Sequence, residues 1–185
     1  KACASCHTDK LVGVAARYPA VDSKTGELFN IERRINTCRD DHQSLPELDY
    51  ESEDLLALTA YVSNQSIGHK IGVSVTGAAA KHYKAGEQYF RTRRGQFNLS
   101  CSQCHNENWG KRLRGDTISQ GHLNGFPAYR LEWQGLGSSH RRLRDCDLGV
   151  RAEPLDFGDE TYISVELYLA ARAKGLNVET PAIRR

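Results

Sequence analysis

Two short motifs hold the residues of this chain whose types and spacing point most directly to chemistry. Each motif reads C-x-x-C-H, as CASCH at residues 3–7 and CSQCH at residues 101–105. Two thiols at this spacing lie on one helical turn, so they can add across the two vinyl groups of a haem while the adjacent histidine reaches the iron. We therefore predict two covalently bound haems c. Their predicted attachment residues are Cys3, Cys6, Cys101 and Cys104, and their predicted histidine ligands are His7 and His105.

Two other chemistries use closely spaced cysteines, and the pattern disfavours both. A structural zinc site needs two close cysteine pairs, and a thioredoxin-like dithiol lies in a βαβ context. Neither context is found in the sequence around residues 3–7 or 101–105.

The two halves of the chain repeat one layout at a distance of about 108 residues. In each half an aromatic-Pro-Ala triplet, a pair of arginines and a single further cysteine follow the motif in the same order. The proline of the triplet precedes that cysteine by 19 residues in both halves. The matched features are Tyr18-Pro19-Ala20 with Phe126-Pro127-Ala128, Arg33-Arg34 with Arg141-Arg142, and Cys38 with Cys146. We infer an internal duplication in which the second copy has about ten extra residues between its histidine and its single cysteine.

The second axial ligand of each haem is open at this point. The chain contains no methionine, which excludes His/Met ligation. A disulfide between Cys38 and Cys146 is the default for two spare thiols in an oxidising compartment. The duplication instead favours each cysteine as a ligand of its own haem, giving His/Cys ligation twice. The remaining histidines are further candidates, although a surface role is more common for any one of them: His42, His69, His82, His122 and His140.

Helical periodicity predicts the elements that position these residues. We expect one helix from a cap at Ser52 to Asn64, a second over about Asp159 to Lys174, and a third over about Ala78 to Arg94. The segment 66–76 reads as a linker. The predicted fold class is mainly α, with two tandem cytochrome c-like haem domains, 1–76 and 77–185, related by internal duplication.

Composition narrows the class of protein but names no partner. Apolar residues make up 39% of the chain, charged residues 26%, and the formal net charge is +2. These values are typical of a soluble globular protein, and the small net charge gives no indication of nucleic-acid binding. No apolar run is long enough to cross a bilayer. Because the chain opens two residues before Cys3, we expect that a further segment precedes it.

The arginines distinguish the two single cysteines. Arg33, Arg34 and Arg39 lie near Cys38 in the sequence, whereas four arginines surround Cys146: Arg141, Arg142, Arg144 and Arg151. Arginine pairs of this kind also bind haem propionates. For Arg141 this role explains the sequence as well as binding of a substrate anion does. A surplus of arginine beside a nucleophilic sulfur nevertheless suits a small oxyanion, and Arg142, four residues before Cys146, is the better candidate.

The second half of the chain resembles one known family. The stretch from CSQCHNENWGKRLRGDTISQGHLNGFPAYRL to RRLRDCDLGVRAEP, together with both C-x-x-C-H motifs and both single cysteines, is similar to the dihaem form of the sulfur-oxidising SoxA cytochromes. The resemblance covers nearly the whole chain. It implies an L-cysteine S-thiosulfotransferase, which oxidatively joins thiosulfate to a cysteine of the carrier protein SoxYZ and releases two electrons.

Carried over position by position, the resemblance implies that His7 and Cys38 ligate the first haem and that His105 and Cys146 ligate the second. Cys146 would also be the catalytic sulfur, found as a persulfide in the family, and Arg142 would hold the sulfonate end of thiosulfate. The resemblance further implies a periplasmic heterodimer with the monohaem cytochrome SoxX and a small c-type cytochrome as electron acceptor.

Two functions of other kinds compete with this interpretation. One is a pure electron-transfer dihaem cytochrome, in which Cys146 is only an axial ligand. The other is a thiosulfate dehydrogenase that forms tetrathionate and commonly has methionine at its other haem. We further expect the extra residues of the second copy, placed within LNGFPAYRLEWQGLG, to shape the mouth of the site, with Trp109 and Trp133 either as its walls or as core packing against haem.

Overall fold

The computed structural model describes residues 2–8, 11–113 and 115–185. Within these ranges the chain forms short strands and seven α-helices. The helices are α1 (Ala4–His7), α2 (Ile31–Gln43), α3 (Glu53–Asn64), α4 (Ala80–Arg91), α5 (Cys101–His105), α6 (Ser139–Gly149) and α7 (Glu160–Arg172). No helix of the described ranges combines the length and the apolar character that crossing a bilayer requires.

The strands are only two or three residues long and form three small sheets. Two are antiparallel hairpins, and the third has the order β6-β5-β7, in which β5 pairs antiparallel with β6 and parallel with β7. The strands are β1 (Ala20–Val21), β2 (Leu28–Phe29), β3 (Arg112–Leu113), β4 (Asp116–Thr117), β5 (Ala128–Arg130), β6 (Gly135–Gly137) and β7 (Ala182–Arg184). Through the parallel pairing of β5 with β7, the last strand of the chain is hydrogen-bonded to residues 128–130.

Two of the three predicted helices are confirmed, and the cap predicted at Ser52 is confirmed with the first. The Ser52 hydroxyl accepts a hydrogen bond from the backbone N–H of Leu55 at the start of α3, and Asp159 caps α7. The third was predicted three residues too long, because α4 ends at Arg91. From there the backbone of Arg94 pairs with Leu99 across a turn, which leads directly into α5.

The packing of α4 against α7 forms the main core. Gly86 allows the two helices to approach closely, since a Cβ at this position would lie 2.0 Å from the Ser164 carbonyl oxygen. Around this contact an apolar cluster includes Phe90, Tyr162 and Leu169. Burial of this face stabilises the two helices and sets the position of α5, which follows α4 along the chain.

Residues of the two halves share their core. Leu28 of β2 packs with Ile163 and Leu167 of α7, and Ile71 packs with Ala173 just after α7. The segment predicted as a linker, 66–76, is bonded to the chain that follows α7, with backbone hydrogen bonds between residues 68–71 and 175–178. It therefore packs as part of the structure instead of acting as a free tether.

The helices that contain the single cysteines begin in matching ways. Asn30 caps α2 and Ser138 caps α6, each eight residues before its cysteine. The lengths of the two halves differ earlier than we expected, between the motif histidine and the aromatic-Pro-Ala triplet, where residues 106–125 contain the β3–β4 hairpin. The extra residues therefore lie mostly upstream of the stretch LNGFPAYRLEWQGLG.

Candidate functional site

The first site consists of the motif on α1 and Cys38 on α2. The Sγ atom of Cys38 lies 4.0 Å from Nε2 of His7. Metal bonds of about 2.0 Å to an imidazole nitrogen and about 2.3 Å to a thiolate sulfur, on opposite sides of one ion, span a similar distance. His7 and Cys38 are therefore close enough for both to bind one metal ion, and Cys3 and Cys6 lie on the same turn of α1 as the histidine.

Both arginines before Cys38 are neutralised by carboxylates. Arg34 pairs with Asp22 at 2.5 Å and also donates to the Tyr18 hydroxyl, and Arg33 pairs with Glu27 at 2.5 Å. The hydrogen bond from Arg34 is the main cause that lowers the pKa of Asp22 to about 2. The first site thus has no arginine of this pair available to an added anion.

The second site consists of the motif on α5 and Cys146 on α6. The imidazole of His105 donates from Nδ1 to the carbonyl oxygen of Ser119 at 2.8 Å, given the tautomer that this contact requires. Nε2 is then the nitrogen left to bind a metal, which is the arrangement typical of histidine ligands. Gly121, whose Cβ would lie 3.1 Å from the ring of His105, keeps this side of the imidazole open.

Cys146 lies near both the motif and the predicted arginine. Its thiol and that of Cys101 interact electrostatically, and both are partly buried. Burial raises the pKa of the Cys146 thiol, and among the opposing influences the charge of Arg142 is the largest. Burial lowers the pKa of His105, and the charges of Arg142 and Arg172 lower it further. Arg142 therefore acts on both residues predicted to ligate the second haem.

The other three arginines around Cys146 are engaged elsewhere. Arg141 stacks on the Trp133 ring at 4.6 Å and lies 3.9 Å from Glu51. Arg144 donates to the Leu155 carbonyl oxygen, and Arg151 donates to the side chain of Gln96. In the part of the chain that the structure describes, no hydrogen bond or ion pair engages the guanidinium of Arg142.

The second half has no counterpart of Asp22, the carboxylate that pairs with Arg34, because Arg130 occupies the matching position. Arg130 precedes Cys146 by 16 residues, as Asp22 precedes Cys38, so the second half has an arginine where the first half has the carboxylate that neutralises Arg34. Burial is the main cause that lowers the pKa of Arg130, and the positive charge of Arg142 lowers it further. The sequence analysis missed this exchange, although comparing the residues 16 positions before the two cysteines would have found it.

A buried carboxylate beside Cys146 was also missed. Asp147 accepts hydrogen bonds on Oδ2 from the hydroxyls of Tyr89 and Tyr162, each at 2.7 Å. Arg94 lies 3.4 Å from its Oδ1 and 3.6 Å from Sγ of Cys101. No local signal in the sequence indicates this contact, because Tyr89 and Asp147 are 58 positions apart.

The two tryptophans have different environments. Trp133 lies between the guanidinium groups of Arg130 and Arg141, and its indole N–H donates to Asp145 at 2.8 Å. Trp133 is therefore half-buried among these side chains. Trp109 has 57% of its surface exposed and lies between α5 and the β3–β4 hairpin. Trp133 is half-buried and Trp109 is exposed, and both stay candidates for the mouth of the site.

Neither a disulfide between Cys38 and Cys146 nor a zinc site is supported by the described residues. All six cysteines are free thiols, so Cys38 and Cys146 form no disulfide. No group of three or more His, Cys, Asp or Glu side chains in those ranges is arranged to hold a bare metal ion, as zinc would need. His140, one of the alternative histidines, is fully buried, stacks on Tyr50 and accepts a hydrogen bond from the backbone of Gly158.

Comparisons with known proteins agree with a cytochrome. Residues 1–71 match the family model described as SoxA/TsdA, cytochrome c domain, which implies covalently bound haem c. The whole chain is 37% identical to the L-cysteine S-thiosulfotransferase subunit SoxA of Rhodovulum sulfidophilum and 38% identical to that of Pseudaminobacter salicylatoxidans. It spans 65% and 66% of the lengths of these relatives.

A solved structure shows the same fold. The chain aligns over its full length with a chain in the crystal structure of SoxXA from P. pantotrophus, of which it covers 71%, with a TM-score of 0.95 and 35% sequence identity. At this identity and similarity, the helices that position the two cysteine sites have close counterparts in that protein.

Proposed function

The chain belongs to the SoxA family, and from this premise we propose that it is the catalytic subunit of an L-cysteine S-thiosulfotransferase. The reaction joins the sulfane sulfur of thiosulfate to a thiol of the carrier protein SoxYZ. Thiosulfate and the carrier thiol give a cysteine S-thiosulfonate, one proton and two electrons. The chain works in the periplasm as a heterodimer with SoxX, and a small c-type cytochrome accepts the electrons.

Two haems c are the cofactors of this proposal, and the residues present fit them. Cys3 and Cys6 would bind the first covalently, and His7 and Cys38 would ligate its iron. Cys101 and Cys104 bind the second, with His105 and Cys146 as its ligands. Bound there, haem iron supplies the one-electron oxidant that the reaction needs. The 4.0 Å between Cys38 and His7 and the free Nε2 of His105 support this ligand set.

The organisation proposed with these haems is a duplicated, mainly α pair of cytochrome c-like domains, residues 1–76 and 77–185. Its support is the matching placement of α2 with α6 and of α3 with α7 about each single cysteine. The first haem, whose nearby arginines are already paired, then serves as an electron relay or a structural centre.

Catalysis is assigned to the second site because of one observation: among the residues that the structure describes, no carboxylate neutralises Arg142, whereas Asp22 neutralises its counterpart Arg34. Its guanidinium is free to bind the sulfonate end of thiosulfate in a charge-assisted pair, which leaves the sulfane sulfur directed at Cys146. The Cys146 sulfur forms a bond to the sulfane sulfur with loss of two electrons. The deprotonated carrier thiol then attacks the same sulfane sulfur, and Cys146 leaves as a thiolate.

The test compares matched cysteine variants in the haem-loaded heterodimer. Thiosulfate and SoxYZ are added with an oxidised c-type cytochrome, and the mass of the carrier and the formation of tetrathionate are measured. We expect one thiosulfonate group on the carrier with the unaltered chain. With Cys146→Ser we expect none, while Cys38→Ser retains conjugation because Cys38 contributes no reacting sulfur.

Three outcomes would contradict the proposal. Conjugation that survives Cys146→Ser would show that Cys146 is not the reacting sulfur. Cytochrome reduction with tetrathionate and an unmodified carrier would indicate a thiosulfate dehydrogenase. Electron exchange with other cytochromes but no reaction with thiosulfate would indicate a pure electron-transfer protein.

A further inference from the structure

The two single cysteines occupy different places on their helices. Helix α2 continues for five residues beyond Cys38, to Gln43, whereas α6 ends at Gly149, only three residues beyond Cys146. The last turn of a helix is the part that frays most readily, because its carbonyl groups lack partners within the helix. Cys146 therefore needs support from outside its helix to hold its sulfur in a fixed place.

Asp147 provides such support, because it is the buried residue next to Cys146. Successive residues of a helix point about 100° apart, so Asp147 is directed into the core. There Leu143, one turn earlier, packs in the same cluster as Tyr162. The carboxylate of Asp147 receives hydroxyls from two helices, Tyr89 of α4 and Tyr162 of α7.

Arg94 extends this network to the haem-attachment motif. Besides its ion pair with Asp147, its guanidinium lies over the Tyr89 ring at 3.5 Å and contacts Sγ of Cys101 at 3.6 Å. One buried carboxylate thus links the end of α6 to α4, α7 and the first cysteine of α5. A buried network of this kind is rigid when all of its members are satisfied.

Among the described residues of the first half, no such network occurs at the matching position. Arg39 follows Cys38 as Asp147 follows Cys146, and its guanidinium donates to the Pro46 carbonyl oxygen near the surface. The carboxylate anchor is therefore a property of the second site alone, where the proposed reaction takes place.

We propose that Asp147, held by Tyr89, Tyr162 and Arg94, is a positioning residue that fixes the Cys146 sulfur opposite His105. The inference rests on the proposed assignment of Cys146 as the sulfur ligand of the second haem. Loosening the network displaces the sulfur without touching Arg142, so turnover falls while binding of thiosulfate is unchanged. A misplacement of about 1 Å lowers a rate by as much as roughly a hundredfold.

The experiment uses the haem-loaded heterodimer with Asp147→Asn, which removes the ion pair, and Tyr162→Phe, which removes one hydroxyl donor and no charge. The control is Tyr168→Phe, because Tyr168 lies in the same apolar cluster and is not among the described residues that donate hydrogen bonds to Asp147. Low-spin ferric signals are recorded by electron paramagnetic resonance without thiosulfate, and a Cys146→Ala sample identifies the signal of the second haem. Conjugation kinetics follow on the same samples.

We expect both variants to shift or split the signal of the second haem, to leave that of the first haem unchanged, and to lower kcat roughly tenfold to a hundredfold at constant KM. An unaltered second signal in the two variants would overturn the inference, as would an equal change with Tyr168→Phe, which would mean general loosening of the core. The spectra are recorded without substrate. They therefore test the position of the Cys146 sulfur even if the conjugation reaction is not observed.

Discussion

At the scale of single residues, the two cysteine sites contain the same types of candidate ligand and differ in the charges around them. Arg34 is paired with Asp22, while Arg142 has Arg130 at the position that corresponds to Asp22. Arg130 is neutralised by Glu132 at 3.0 Å and Asp145 at 3.6 Å, so its own charge is accounted for. The difference leaves one guanidinium beside Cys146 for a substrate anion, and none beside Cys38.

This difference predicts a selective effect of Arg142→Gln on binding. Loss of a charge-assisted hydrogen bond costs about 1.5–3 kcal/mol, so we expect the KM for thiosulfate to rise roughly tenfold to a hundredfold with little change in kcat. The matched control is Arg141→Gln, because Arg141 stacks on Trp133 and lies near Glu51. Steady-state kinetics of conjugation measure both. Equal KM values for the two variants would show that Arg142 has no special role.

At the scale of elements, the helices that contain the single cysteines begin at side-chain caps. The Ser138 hydroxyl accepts a hydrogen bond from the backbone N–H of Arg141 at 3.2 Å, and Asn30 accepts one from Arg33 at 2.9 Å. Each cap fixes the first turn of a helix whose cysteine follows two turns later, so both ends of α6 are held: the first turn by Ser138 and the last by Asp147.

The cap of α6 gives a prediction about stability. Ser138→Ala removes the acceptor and should lower the free energy of unfolding by about 1 kcal/mol, whereas Ser138→Gly should lower it by only a few tenths of a kcal/mol, because glycine is itself a favoured N-cap residue. Denaturant unfolding of the haem-loaded chain, followed by far-ultraviolet circular dichroism, measures both. If alanine proves no more destabilising than glycine, the hydroxyl does not act as a cap.

At the scale of the whole molecule, a buried group of ionisable residues lies where α2 and α6 meet α7. Glu32, Glu166 and His140 are almost entirely inaccessible to solvent, and Nε2 of His140 lies 3.5 Å from Glu166. Burial, followed by the charge of Glu166, raises the pKa of Glu32 to about 7. Although burial opposes it, the charge of Glu166 raises the pKa of His140. The group holds extra protons in the folded state.

The consequence is a stability that falls as the pH rises. For Glu32, whose pKa is higher in the folded chain than its usual 4.5, the contribution is fully present below about pH 4.5 and is lost as the pH passes 7. His140 acts in the same direction. We expect the free energy of unfolding to fall by roughly 2 to 4 kcal/mol between pH 5 and 8, and Glu32→Gln to remove most of this fall.

Unfolding of the haem-loaded chain by denaturant at several pH values tests this expectation. Exposed Glu47 provides the control, since Glu47→Gln should leave the pH dependence as it is in the unaltered chain. Asp22, whose pKa is lowered, affects stability only at more acidic pH and stays outside the window. A pH dependence in Glu32→Gln equal to that of the unaltered chain would contradict the buried-proton explanation.

The sequence by itself determined the features that depend on neighbours along the chain. The C-x-x-C-H spacing predicts haem-attachment residues within one helical turn, and the absence of methionine limits the candidate axial ligands. Periodicity located α3 and α7, because side chains three and four positions apart share a face, and a predicted cap at Ser52 defined the start of α3. The repeat of 108 residues also indicated that Cys38 and Cys146 hold matching positions.

Only the tertiary structure decided which of these residues meet groups that are distant in the sequence. It showed that Asp22 neutralises Arg34, that Asp147 joins Tyr89 to Tyr162, and that the two halves share one core through α7. Local propensity cannot specify such contacts, because charge pairing and buried hydrogen bonds depend on how whole helices pack. The residues that could do the chemistry were therefore readable in the sequence, whereas the difference between the two sites was created by packing.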